Sequence, residues 1–251
     1  MFSSIAMHWD FALILIFLAV AVPWLGRRRI QQLFAMPQTT KLDRLSLYAS
    51  TMAFQWLAAG LIVWRASANG VRPAELGLAL PNPLLTLAVT VILSTLILLN
   101  QIFSLRRLVT NPAEIKGTLP QLALKIFPQD AVERLTFFAL VATVALCEEL
   151  MYRGFVQTVF LAWSGGLASV SILASAAFFA LAHLYQGRRG LVSTGVIGLL
   201  FSAIRAWTGS LLAPLVAHFI ADLAVGLMAP NKLRPALHGE PSRVDALWCI
   251  S

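Results

Sequence analysis

The chain has 251 residues, 59% of them hydrophobic and only 12% charged, with a mean hydropathy of +0.78. Soluble domains carry about 25% charged residues, and several apolar runs here are long enough to cross a bilayer, so a soluble domain is excluded and an all-α, polytopic transmembrane helical bundle of about seven to eight spans is expected. The net charge of +8 does not point to a nucleic-acid partner, because the lysines and arginines fall between the apolar runs rather than on one face.

In chain order, the first span is expected from about Trp9 to Gly26, stopped by Arg27-Arg28-Arg29. The arginines follow the first apolar run instead of preceding it, which argues for a retained span with its N-terminus outside. A second span is expected over Leu45 to Trp64 and a third over Pro83 to Leu105, ending at Arg106-Arg107. The stretch Thr110 to Arg134 mixes Leu122, Ile126 and Val132 with Gln121, Lys125 and Glu133, the pattern of a surface helix, interrupted at Pro128. The fourth span is expected over Leu135 to Trp163, the fifth over Leu167 to Leu184, the sixth over Leu191 to Trp207 and the seventh over Leu211 to Met228. A basic loop, Gln186 to Gly190, separates the fifth and sixth. The organisation expected is therefore N-terminal spans and an amphipathic connector without a readable motif (1–134), a four-helix core that carries the chemistry (135–228), and a partly disordered tail (229–251). Only Arg65 and Arg72 fall in outside loops; the other loop lysines and arginines are inside, which puts the C-terminus inside too. The setting expected is a bacterial inner membrane.

The stretch Cys147-Glu148-Glu149-Leu150-Met151-Tyr152-Arg153 lies within the fourth apolar run. A charged side chain costs about 2.5–3.5 kcal/mol at the centre of a membrane helix, so such groups are kept only where they pair or line a wet cavity. Glu149 and Arg153 are four apart on a helix and can pair. Glu148 lies about 100° round from Glu149 and needs another partner. Of the four histidines, His183 and His218 fall in spans. Phe179 stands one turn before His183, and Asp222 one turn after His218, where it can orient that ring. Either histidine taken singly is more often just a helix-to-helix hydrogen bond. Together with Glu148, Glu149 and Arg153, however, they and Asp222 are nearly all the ionisable groups of the last four spans, and one shared cavity is expected.

These motifs, Glu148-Glu149…Arg153, then Phe179…His183, then His218…Asp222, resemble in order and context the CPBP family of intramembrane proteases, the CAAX-processing and bacteriocin-immunity (Abi) family. The turn Thr208-Gly209-Ser210-Leu211 with Pro214 is similar too. The resemblance covers about Leu135 to Met228 and implies an enzyme that cuts peptide bonds at the membrane, best known for removing the last three residues of prenylated proteins. The family often has Asn where this chain has Asp222, and an ionised Asp222 accepts from His218 instead of donating to an oxyanion.

Peptide hydrolysis requires a base to activate water and a donor for the oxyanion. The expectation is that Glu148 is the base, sharing the water with His183, and that His218 is the oxyanion donor supported by Asp222, with Glu149, Arg153 and Phe179 as supporting residues. No metal is expected. A zinc site formed by His183, His218 and Glu148 is the alternative, since oxygen and nitrogen ligands suit Zn²⁺; against it, the His-Glu-x-x-His helix is missing. A proton-coupled transporter or a non-catalytic immunity or scaffold protein are further alternatives, the transporter disfavoured by the absence of repeated halves. The partners expected are the lipid bilayer and a membrane-anchored peptide or protein substrate. One tension concerns depth. Entry at Leu135 puts Glu148 on the order of 20 Å into the fourth helix, deeper than His183 near the inner end of the fifth, so that helix must be tilted, broken near the carboxylates, or begin later.

Overall fold

The computed structural model describes residues 8–110, 122–123 and 125–238. Its described residues form no strand, and they include seven principal helices: α1 (Trp9–Ala35), α2 (Lys41–Ala68), α3 (Pro83–Thr110), α4 (Ala131–Trp163), α5 (Ala168–Ala182), α6 (Gly187–Thr208) and α7 (Leu212–His238). Five helices among the described residues are long and apolar enough to cross a membrane: α1, α2, α3, α4, and the helical stretch Leu184–Thr208 that contains α6. The apolar stretches of α5 and of α7, the latter Leu212–Met228, are shorter. On α1, the exposed Trp9, Leu13, Ile16, Val20 and Trp24 recur at helical spacing. An outward apolar stripe of this kind is what a lipid-facing helix presents. This is an integral membrane protein.

Several boundaries differ from expectation. Arg27-Arg28-Arg29 do not end the first helix, which continues to Ala35. Charge ends a span, but Arg, Gln and Leu are good helix formers, and the helix stops only where Pro37 forces Met36 into extended backbone. The basic segment expected as a loop between the fifth and sixth spans is a 3₁₀ turn, Leu184–Gln186, followed directly by α6, so Arg188 and Arg189 lie in the first turn of that helix. Helix α7 runs through Met228 to His238, past Pro230 and Pro235; the rest of the expected tail, 239–251, is outside the described residues. So is most of the amphipathic connector. Its described part is helical before Phe127, and the chain is non-helical from Phe127 through Asp130, as Pro128 suggested.

Helices α2 and α4 begin side by side. Thr40 caps α2 in a reciprocal box with Asp43, and Asp130 caps α4 by accepting from the Glu133 N–H at 2.9 Å. Lys41 pairs with Asp130 at 2.6 Å and Arg44 with the buried Glu133 at 2.8 Å, tying the two starts together. Helix α7 packs along α3 and crosses α4, and α5 packs on α6. At that last contact Gly198 lies so close to Ala176 that an added Cβ would come within 3.2 Å of its Cα; small residues are what allow membrane helices to approach this closely.

The depth tension resolves in the packing. Glu148 lies fifteen residues before the end of α4 at Trp163, and His183 fifteen after the start of α5 at Ala168. By residue count the two are about equally far from the turn joining the two helices, hence near one level. Helix α4 is simply longer at its other end, starting at Ala131. His218 reaches that level by a different route. The α6–α7 turn is recessed into the bundle: Gly209, in left-handed backbone at φ 70°, closes α6, and the Leu211 N–H donates to the Gly77 carbonyl at 2.8 Å. Leu211 stands beside Gly154 of α4. His218 is seven residues beyond Leu211 and Glu148 six before Gly154, which brings His218 towards the level of Glu148.

Candidate active site

The π-wound segment Glu149–Val156 interrupts α4 immediately after Glu148. Such a wide turn leaves backbone groups to be satisfied by longer or external bonds, and is common at functional sites. Here the Tyr152 carbonyl accepts from the Gln157 N–H, five residues on, and from Ser175 Oγ of α5 at 2.9 Å. Ser202 Oγ of α6 donates to Ser175 Oγ at 3.0 Å, and Gln157 Nε2 donates to the Ser202 carbonyl at 2.9 Å. This buried polar chain locks α4, α5 and α6 together behind the π segment and fixes where Glu148 and Glu149 point.

Glu149 and Arg153 are both 0% exposed, and Arg153 Nη1 donates to Glu149 Oε1 at 2.8 Å. The guanidinium carbon also sits 4.0 Å above the Phe179 ring and 5.4 Å from that of Phe201. The same Glu149 oxygen takes a second partner, His218 Nδ1, at 2.9 Å. An ionised carboxylate only accepts, so Nδ1 carries its proton and Nε2 is turned to the cavity. His183 is arranged alike. It closes α5, and its Nδ1 lies 2.8 Å from the Phe179 carbonyl, an acceptor, so its Nε2 also faces the cavity. The Phe179 ring lies against both imidazoles, with centroids 4.5 Å from His183 and 5.9 Å from His218.

Glu148 stands between the two free ring nitrogens. Its Oε2 is 3.9 Å from His183 Nε2 and 3.9 Å from His218 Nε2, buried and without a hydrogen-bond partner. Its Oε1 accepts from Gln55 Nε2 of α2 at 3.0 Å. Asp222 Oδ2 lies 3.5 Å from His218 Nε2, beyond a good hydrogen bond, with its side chain 43% exposed. Glu148, Phe179, His183, His218 and Asp222 line a single cavity of about 1900 Å³, whereas Glu149 and Arg153 are buried behind it. The expectation that all six ionisable groups line the cavity is thus corrected for those two: their charges are spent on each other and on His218, away from solvent.

A separation of 3.9 Å leaves room for a water bridging Glu148 Oε2 to an imidazole nitrogen. As for a metal, Glu148, His183 and His218 are suitable donors in kind, but zinc bonds of about 2.0–2.1 Å set tetrahedral ligand atoms roughly 3.3 Å apart. Among the described residues no three His, Cys, Asp or Glu side chains form a metal-holding group.

Two residues were missed by sequence reasoning. Gln55, only 8% exposed, belongs to a helix that offered no motif. The one available signal was an amide in the middle of the apolar run Ala53-Phe54-Gln55-Trp56-Leu57. Arg205, the remaining charge of the last four spans, lies away from the site. Its guanidinium donates to the Glu75 carbonyl and, at 3.2 Å, to Thr158 Oγ1, and Thr158 Oγ1 in turn donates to Glu75 O at 2.7 Å. It pins the 69–82 loop over the recessed α6–α7 turn.

Comparison with known proteins bears out the family resemblance over this region. The family model described as type II CAAX prenyl endopeptidase Rce1-like matches residues 131–224. A Bacillus subtilis (strain 168) protein described as uncharacterized protein YpbD is 32% identical over 99 residues, 39% of this chain and 47% of that protein. The chain thus spans about half the length of this curated relative. No solved structure matches.

Proposed function

We propose that this chain is a membrane-embedded endopeptidase of the CAAX-processing type, hydrolysing a peptide bond of a membrane-associated protein or peptide with a water activated by Glu148. The observation that carries this reading is the buried, unpartnered Oε2 of Glu148, equidistant from two imidazole nitrogens at the cavity wall. The match of 131–224 to an endopeptidase family supports it.

The geometry supports the following roles. A water held between Glu148 Oε2 and His183 Nε2 gives a proton to the carboxylate as its oxygen attacks the scissile carbonyl. Carrying a proton on each nitrogen, His218 donates Nδ1–H to Glu149 and Nε2–H to the developing oxyanion. Asp222, its carboxylate 3.5 Å from that nitrogen, supports the charge of the doubly protonated ring. The C–N bond then breaks, and Glu148 returns its proton to the leaving amine, which restores the carboxylate. The chemistry proposed needs no metal. Water-like spacing around Glu148 favours this over a zinc site.

The cavity suits a substrate that is part peptide and part lipid. Apolar side chains such as Phe54, Ile97 and Phe137 line it together with Arg28, Arg29, Arg107, Arg188 and Arg189. We place the protein in a bacterial inner membrane with its basic end inside, where the target is a membrane-anchored peptide or protein. The deciding experiment compares the ends of membrane peptides incubated in liposomes with the parent or with Glu148→Gln. New termini with the parent alone support the reading; identical termini with both refute it.

A further inference from the structure

We infer that Gln55 is a positioning residue for the base, holding the Glu148 carboxylate so that Oε2, rather than Oε1, faces the two histidines. This rests on the reading of Glu148 above. Gln55 Nε2, at 3.0 Å, makes the one direct hydrogen bond to the Glu148 carboxylate among the described residues. It comes from α2, outside the 131–224 segment matched to the endopeptidase family. A carboxylate with one oxygen fixed by an amide donor has its second oxygen fixed as well, since both lie in one plane about a single terminal torsion. Without that bond the group swings about its last torsion, and neither oxygen is held 3.9 Å from both imidazoles.

The mount of Gln55 is rigid. Ala58 and Ala59, one turn on, are buried with Cys147 and Met151 of α4 in one cluster, and such small residues allow close approach of the two backbones. The adjacent Trp56 donates from Nε1 to Thr143 Oγ1 of α4 at 3.3 Å, which fixes the register of the two helices just below Glu148. Packing alone does not call for an amide here. Gln55 Oε1 is buried and unpartnered, and a buried acceptor left unsatisfied costs about 1–3 kcal/mol. A methionine fills the same space without that cost. The amide is explained by the carboxylate it faces.

The test uses the full chain in liposomes. Gln55→Met keeps the volume and removes the donor. The expected result is a kcat lower by about 100-fold, the scale of an ångström-sized misplacement of a reacting group, with KM within about twofold of the parent. Independently of turnover, the carboxylate stretch of Glu148, isolated as the infrared difference between the parent and Glu148→Gln, shifts when Gln55 is replaced by Met. If the variant does not fold, Gln55→Asn, which retracts the amide by one methylene, takes its place. An unchanged kcat with an unmoved carboxylate band overturns the inference, and so does a loss confined to KM. The two readings separate cleanly. If no peptide is cut but the band shifts, Gln55 positions Glu148 and the peptidase reading falls. If Glu148→Gln abolishes cleavage while Gln55→Met neither slows it nor moves the band, only the role of Gln55 falls.

Discussion

Glu149 is bonded to two partners of different kinds, and this makes a sharp test of the site. Replacing it with Gln keeps its shape and removes its charge. Arg153, 0% exposed, then becomes a buried cation held only by the Phe179 and Phe201 rings and a neutral amide oxygen. Removing one partner of a buried ion pair costs about 3–5 kcal/mol. For a chain of this size each kcal/mol lowers the melting temperature by about 2–4 °C, so the expected drop is roughly 6–20 °C. The double variant Glu149→Gln/Arg153→Met removes both charges and should recover most of that stability, since replacing a whole buried pair by apolar groups is often neutral. Activity should not recover. His218 Nδ1 has lost the carboxylate 2.9 Å away that fixes its ring and balances its charge, and loss of an oxyanion donor or its support costs about 10²–10³ in kcat. The assay pairs thermal unfolding in detergent with peptide cleavage on the same preparations. A double variant that regains stability and full activity together would refute the reasoning, because Glu149 would then serve the fold alone.

Three further outcomes are expected. Cleavage should survive treatment with a strong chelator, followed as product formation beside the metal content of the preparation; activity that falls and returns with stoichiometric zinc would reassign Glu148, His183 and His218 as ligands. Asp222→Asn should remain active, its amide able to donate to the oxyanion, whereas Asp222→Ala should lose about 10- to 1000-fold in kcat; an Ala variant equal to the parent would make Asp222 a packing residue. Arg205→Met should release the 69–82 loop, seen as faster proteolysis near Arg72, because the Glu75 carbonyl loses a donor that Thr158 alone does not replace; an unchanged cleavage rate would mean that the loop is held by its other contacts.

What the sequence determined on its own is what depends on neighbours along one helix and on the cost of charge in lipid. The membrane-helical class, the order of the apolar helices and the Glu149–Arg153 pair all follow from 3.6-residue periodicity and from desolvation. So does the expectation that Glu148, His183 and His218 share a space, which the structure brings together around one carboxylate oxygen. Tertiary structure alone decided the rest, because each remaining contact joins residues far apart in sequence. Glu149 holds His218 across 69 positions, and Gln55 holds Glu148 across 93. The level at which α7 starts is set by the Gly77 carbonyl in a distant loop. The π turn is held open by a serine from another helix. Periodicity shows which face of a helix a side chain occupies; which other face it meets, and at what depth, is decided by how helices of unequal length pack.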